Sequence, residues 1–224
     1  VTTIGIIGSG NIGSTVARLA IGAGDDVVLS NSRGPATLTD LVVDLGPRAR
    51  AGTREDAVSA SELVLVSIPI RAYPTLSGVS FAGKIVMDTG NYYPARDGEI
   101  RELAERATTD SEYLAGFLPG ASVVKVFNNI YFAHLLNLAR PTGADDRSAL
   151  PIAGDDESSK QRVVEFLDAI GYSAVDVGSL ADGWRQQPGT PVYGAPYGAF
   201  DDEAGTPADE RVIRSAVAEA ARAS

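Results

Sequence analysis

The chain has 224 residues, a formal net charge of −10, no cysteine and one histidine. Those counts exclude a disulfide framework, a thiol nucleophile, thiolate metal ligation and a multi-histidine metal site, and the negative charge argues against nucleic acid and anionic membranes as partners. With 44% hydrophobic and 21% charged residues the chain can bury a real core, and the lack of any apolar run near ~20 residues or of a signal-peptide pattern leads to the expectation of a cytoplasmic protein with no membrane contact.

Residues 3–7, TIGII, form a β-branched apolar run that predicts a strand, and Gly8-Ser9-Gly10-Asn11-Ile12-Gly13 follows at the G-x-G-x-x-G spacing. In that motif Gly8 lets the chain turn sharply off the strand. Gly10 removes a Cβ that would block a pyrophosphate, and Gly13 lets the next helix pack closely on the sheet. The first N–H groups of that helix lack partners within it, and the aligned peptide dipoles favour an anion there. A bare match is also what a plain glycine turn gives. Context separates the two readings: Val16, Leu19 and Ala20 recur at helical spacing over 14–21, Gly22 and Gly24 can end that helix, and 27–29 is a second buried strand. A dinucleotide site on Gly8, Ser9, Gly10, Asn11, Ile12 and Gly13 is predicted.

The end of the second strand selects the cofactor. An NAD site places an acid there to accept from the ribose 2′-OH, and that carboxylate would repel a 2′-phosphate. This chain has Ser30, Asn31, Ser32, Arg33 and Gly34 instead. Hydroxyls, an amide and the planar guanidinium fork of Arg33 suit a phosphate dianion, so NADP(H) is expected. Asp25 and Asp26 precede the strand and read as solvated turn charges.

Further along, 36–45 is amphipathic, with Leu38, Leu41, Val42 and Leu45 on one side, Thr37 as a cap and Gly46-Pro47 as its stop. A short strand over 48–51 and a short helix over 54–59 lead to a buried strand over 63–68. The alternation predicts an α/β fold, a doubly wound parallel sheet. Ser67, Ile68 and Pro69 close that strand at the edge where ligands bind, although a proline-stopped strand gives the same letters. The strand over 84–87 is followed by a polar loop, 88–94, which brings Asn91 to the same edge. Helices are expected over 99–107 (inner face Ile100, Leu103, Ala104) and 111–117, then a sixth strand over 122–127 with Asn128 and Asn129 directly after it. Those two amides suit ligand amides or carbonyls in the crevice.

Residues 141–147 read as a loop, 150–153 as a strand, 157–170 as a helix, 173–177 as a last strand, 183–198 as an irregular aromatic segment and 208–222 as a C-terminal helix. A division follows: a nucleotide-binding domain over 1–140 and a small C-terminal α/β part over 141–224 on the substrate side. The apolar letters of 188–200 suggest an exposed face and a homodimer contact.

The ordered set IGIIGSGNIGSTVA, SNSRGP, VSIP, DTGN, VVKVFNN and AGDDESSKQRVVEFLDAIGYSAVDVG resembles the F420-dependent NADP oxidoreductase family over 3–180. The resemblance implies a Rossmann domain and a hydride passed directly between C4 of the nicotinamide and C5 of an 8-hydroxy-5-deazaflavin, the ring of coenzyme F420. It also implies that Ser9, Ser32 and Arg33 hold the 2′-phosphate and that Ser67, Ile68 and Pro69 lie along the cofactor. The family's glycine-containing apolar tail, part of its deazaflavin pocket, is replaced here by GWRQQPGTPVYGAPYGAFDDEAG and a charged helix.

Hydride transfer asks little of acids and bases, since the protein mainly aligns two rings. Lys125 and Asn129 resemble the K-x-x-x-N catalytic pair of β-hydroxyacid dehydrogenases, yet a strand over 123–127 would part them, with strand-end roles the alternative. His134, among Phe132, Ala133, Leu135 and Leu136, reads as structural or as a proton donor. Trp184, Tyr193 and Tyr197 either stack on a flat acceptor or pack their loop onto the core. Three functions stand at this stage: NADP(H):deazaflavin oxidoreductase, NADPH-dependent reductase of a small imine or carbonyl, which needs a proton donor such as His134, Tyr193 or Lys125, and a non-catalytic dinucleotide-binding module.

Overall fold

The computed structural model describes residues 1–221, so the end of the predicted C-terminal helix at Arg222 lies outside the described residues. In chain order the elements are β1 (Thr3–Ile7), α1 (Asn11–Gly22), β2 (Asp26–Ser30), α2 (Thr39–Leu45), β3 (Ala49–Ala51), α3 (Arg54–Ser59), β4 (Leu63–Val66) and β5 (Ile85–Asp88). Three short helices follow, α4 (Pro94–Asp97), α5 (Arg101–Ala104) and α6 (Asp110–Ala115), then β6 (Ser122–Lys125), α7 (Phe132–Asn137), β7 (Ala149–Gly154), α8 (Glu157–Ala169), β8 (Ser173–Gly178) and α9 (Glu210–Ala218). No described helix is long and apolar enough to cross a membrane.

All eight strands lie in one sheet, in the order β3-β2-β1-β4-β5-β6-β7-β8. A strand covered on both faces must be apolar at every position, and β4 shows why: Leu63 and Leu65 join a core with Val16, Ala17 and Ala20 of α1, while Val64 and Val66 join the opposite core with Ala57 and Val58 of α3. This is the doubly wound, Rossmann-like α/β fold that the sequence predicts. One junction differs: β7 runs antiparallel to β6, with Lys125 opposite Ala153, and β8 then pairs parallel to β7. An apolar run carries the same letters in either direction, so direction was not readable. The C-terminal strands therefore extend the sheet.

Several boundaries move for local reasons. α1 starts inside the glycine motif, because Ser14 N–H already donates to the Gly10 carbonyl. Thr37 does not cap a helix. It sits in a 3₁₀ turn, Pro35–Leu38, with its hydroxyl on the Gly34 carbonyl and the Asn31 side chain. The helix expected over 99–107 shrinks to α5, leaving Ala104 exposed, as Arg106 takes a left-handed φ of 54°. β6 stops short of Phe127 because that residue adopts φ 64°. Residues 132–137 form α7 with no side-chain cap to announce it. The segment 188–200 is no apolar face: Val192 and Tyr197 are fully buried, and Phe200 alone of its large apolar side chains is exposed, at 55%.

Candidate functional site

The strand order reverses beside β1, where β2 and β4 flank it, and the carboxyl ends of these strands open a crevice. At its mouth Gly8 turns the chain at φ 105°, with its N–H donating to the Ser30 carbonyl at 3.0 Å. A Cβ on Gly8 would lie 2.1 Å from the Ser67 carbonyl oxygen, and one on Gly13 would lie 1.9 Å from the Gly8 carbonyl oxygen. Both glycines are thus demanded by backbone packed on backbone. Gly10 differs, since a Cβ there would meet nothing within 4 Å and the space before it is open. α1 has no side-chain cap and no acid in its first turn, so its leading N–H groups and dipole face that space, an arrangement that suits a diphosphate. Ser9 is half-buried at the turn, and Asn11 and Ile12 line the crevice beyond it.

The β2 end is built as a loop with two exposed donors. Asn31 Oδ1 accepts from the Arg33 N–H at 2.9 Å while its Nδ2 donates to Thr37 Oγ1, so Asn31 shapes the turn. Ser32 and Arg33 are left facing solvent, and no salt bridge to the Arg33 guanidinium occurs among the described residues. Ser67, Ile68 and Pro69 are half-buried and press against the glycine turn, Ser67 N–H donating to the Ile7 carbonyl.

Beneath the 88–94 loop lies a buried polar cluster. Lys125, fully enclosed, donates from Nζ to the Gly90 carbonyl at 2.8 Å and to Ser111 Oγ at 3.3 Å, and stands 3.9 Å from Asp88 Oδ2. Asp88 in turn accepts from Tyr73 Oη, Ser111 Oγ and the Gly90 N–H. Every formal charge there has a partner, as burial requires. Desolvation, followed by the negative charge of Asp88, pushes the Tyr73 hydroxyl well above its ordinary range. Asp110 is buried beside this cluster and accepts from the Tyr92 N–H; burial raises its carboxyl against the pull of Lys125. Lys125 itself does not reach the crevice. Its work is to hold the loop that does.

Opposite the glycine turn the crevice widens into a cleft of about 420 Å³, walled by Thr89, Phe127, Tyr131, Phe132, Tyr193 and Phe200 and floored by Asn91, Asn128 and Asn129. The floor is cross-braced. Asn91 and Asn128 exchange hydrogen bonds, Nδ2 of Asn91 to the Asn128 carbonyl and Nδ2 of Asn128 to Asn91 Oδ1, while Asn128 Oδ1 accepts from Gln186 Nε2. Asn129 donates to the Val192 carbonyl, and its Oδ1 is buried without a partner among the described residues. These contacts tie the β6 end to the C-terminal segment. The Tyr193 and Tyr93 hydroxyls share a short hydrogen bond, and the Arg96 guanidinium lies 5.0 Å from the centre of the Tyr93 ring.

The other singled-out residues lie elsewhere. His134 is fully buried with its Nε2–H on the Asp202 carbonyl at 2.7 Å, edge-on to Tyr131. Tyr197 is a core residue donating to the Ala149 carbonyl, and Trp184 faces a separate cavity with Tyr92 and Asp110. Sequence reasoning passed over Thr89, Tyr131, Phe200 and Tyr93, whose only signal was aromatic or polar character near a strand end.

Residues 3–92 match the family model of NADP oxidoreductase, coenzyme F420-dependent. Over those residues the chain carries the nucleotide-binding unit of that family. The chain is 33% identical over 180 residues to metalloreductase STEAP3 of Rattus norvegicus, covering 80% of this chain and 34% of that protein. It spans between about a third and two fifths of the length of the curated relatives it matches. A solved structure of hypothetical protein SMa0349 from Sinorhizobium meliloti is 31% identical, with TM-score 0.75 over 86% of this chain and 93% of that one. A candidate F420-dependent NADP-reductase from Arthrobacter sp. FB24 superposes with TM-score 0.64 over 80% of this chain and 86% of that one. At 20% identity that likeness is one of fold. The resemblance read from the ordered motifs is thus matched over the nucleotide-binding unit, and the family is one of NADP-dependent oxidoreductases.

Proposed function

We propose that the protein is an NADP(H)-dependent oxidoreductase that passes a hydride between C4 of the nicotinamide and C5 of an 8-hydroxy-5-deazaflavin, coenzyme F420. The observation carrying this reading is that the glycine turn and an aromatic-walled cleft open on one edge of the sheet, with Asn11 and Ile12 common to both. Residues 1–140 hold the dinucleotide in this reading, and 141–224 complete the acceptor side through Tyr193 and Phe200. The dinucleotide supplies the hydride. The chain does the rest by position: the α1 N–H groups hold the diphosphate, Ser9, Ser32 and Arg33 hold the 2′-phosphate, and Ser67 to Pro69 press on the ribose side. The cleft lining has no side-chain carboxylate, and its five aromatic side chains suit a flat ring system.

A second reading, reduction of a small imine or carbonyl compound, draws support from one feature, a tyrosine hydroxyl in the cleft wall. Stopped-flow absorbance separates the two. Mixing with NADPH should bleach oxidised F420. If F420 is untouched while a cyclic imine is consumed, the second reading replaces the first.

A further inference from the structure

We propose that Tyr193 is the proton donor that accompanies hydride transfer, with Tyr93 as the group that returns its proton. The inference rests on the hydride-transfer reading above and names a residue for the half of the reaction that the dinucleotide does not supply.

A hydride added at C5 of a deazaflavin displaces an electron pair through the conjugated ring to N1, which must take a proton for charge to balance. A carbonyl oxygen or imine nitrogen has the same need. Of the three candidate donors read from the sequence, His134 has its Nε2–H committed to the Asp202 carbonyl, and Lys125 is enclosed under the 88–94 loop. Only Tyr193 lines the cleft. Its hydroxyl meets that of Tyr93, and two hydroxyls joined by one hydrogen bond hold two protons but share only one. The second proton has no other hydrogen bond among the described contacts, and when Tyr93 donates to Tyr193 the free O–H is that of Tyr193, in the cleft wall.

The surroundings suit a donor that keeps its proton until it is called on. Burial, then the hydrogen bond to Tyr93, push the Tyr193 hydroxyl up, and Arg96 pulls it back down. Arg96 is fixed there by Asp97, with Nη2 to Oδ2 at 2.8 Å, and by the Asn91 carbonyl, so a positive charge stands near the oxygen that becomes negative. In the step itself the O–H bond of Tyr193 breaks as N–H forms on the acceptor. The tyrosinate then recovers a proton across the shared hydrogen bond from Tyr93, which is half-buried and refills from water. The sum is NADPH, one proton and oxidised deazaflavin giving NADP⁺ and the dihydro-deazaflavin.

The test uses the full chain, NADPH and two probes, oxidised F420 and a cyclic imine. Tyr193→Phe should slow turnover of whichever probe the wild type reduces by about 100-fold or more, the range of lost general-acid catalysis. NADPH affinity should stay unchanged, and the wild type's solvent deuterium isotope effect should vanish. Tyr93→Phe should give a smaller loss. Ultraviolet titration of the unliganded protein supplies a readout apart from turnover: Tyr193→Phe should remove one tyrosine from those that ionise above the ordinary range. A wild-type rate in Tyr193→Phe, or the loss of a tyrosine that ionises in the ordinary range, overturns the inference while the hydride reading stands. A wild type that reduces neither probe overturns both.

Discussion

The glycine-turn side of the cleft and its aromatic side are made of different material. On the first, Gly8 and Gly13 are required because carbonyl oxygens of Ser67 and Gly8 stand where a side chain would begin, and the groups offered to a ligand are mostly backbone N–H. On the second, Phe127, Tyr131, Phe132, Tyr193 and Phe200 meet from separate segments, held by amide and hydroxyl cross-links such as Asn128 to Gln186 and Tyr93 to Tyr193. Backbone sites are written as local spacing, and side-chain sites are written nowhere in particular. In the proposed reading the first wall holds the dinucleotide and the second selects what is reduced.

That contrast breaks most readily at the support of the second wall. Lys125→Met should cost about 3–5 kcal/mol in denaturant unfolding, since it leaves Asp88 charged and enclosed; a loss below about 1 kcal/mol would mean that the cluster does not hold the loop. Next comes the first wall, where Gly13→Ala should cost about 3 kcal/mol, the upper end of overpacking, together with dinucleotide binding. Unimpaired stability there would show that the turn can yield. Arg33→Ala should weaken NADPH by about 2 kcal/mol, some thirtyfold, through lost charge-assisted hydrogen bonds, and leave NADH unchanged in calorimetric titration. An equal fall for both nucleotides would remove the 2′-phosphate assignment.

The smallest effect lies far from either wall and serves as a control. Asp156 caps α8, accepting from Ser158 Oγ at 2.6 Å and the Ser159 N–H at 2.7 Å, and these hydrogen bonds hold its carboxyl at about 2. Because the folded value is depressed, the cap's contribution is present above the ordinary value of 3.8 and is lost as pH falls towards about 2. Asp156→Ala should therefore lower the melting temperature slightly at neutral pH, with the difference from wild type closing over that acidic window and dinucleotide binding untouched.

The same contrast explains what could be read in advance. β1, the glycine turn and β2 announce themselves through apolar runs and glycine spacing, all within a few residues. Antiparallel β7 does not, because direction leaves no mark on a buried strand, and neither does uncapped α7. Lys125 and Asn129 look like a pair by spacing, yet the left-handed turn at Phe127 sends one under a loop and the other to Val192. The hydroxyl pair joins residues 93 and 193, a contact that only the folded sheet creates.

The central claim, direct transfer across the cleft, is tested by the fate of one hydrogen. NADPH carrying deuterium at the transferred position of C4 should yield reduced F420 with that deuterium at C5, read by mass spectrometry. Reduced F420 whose new C5 hydrogen comes from solvent would contradict the account.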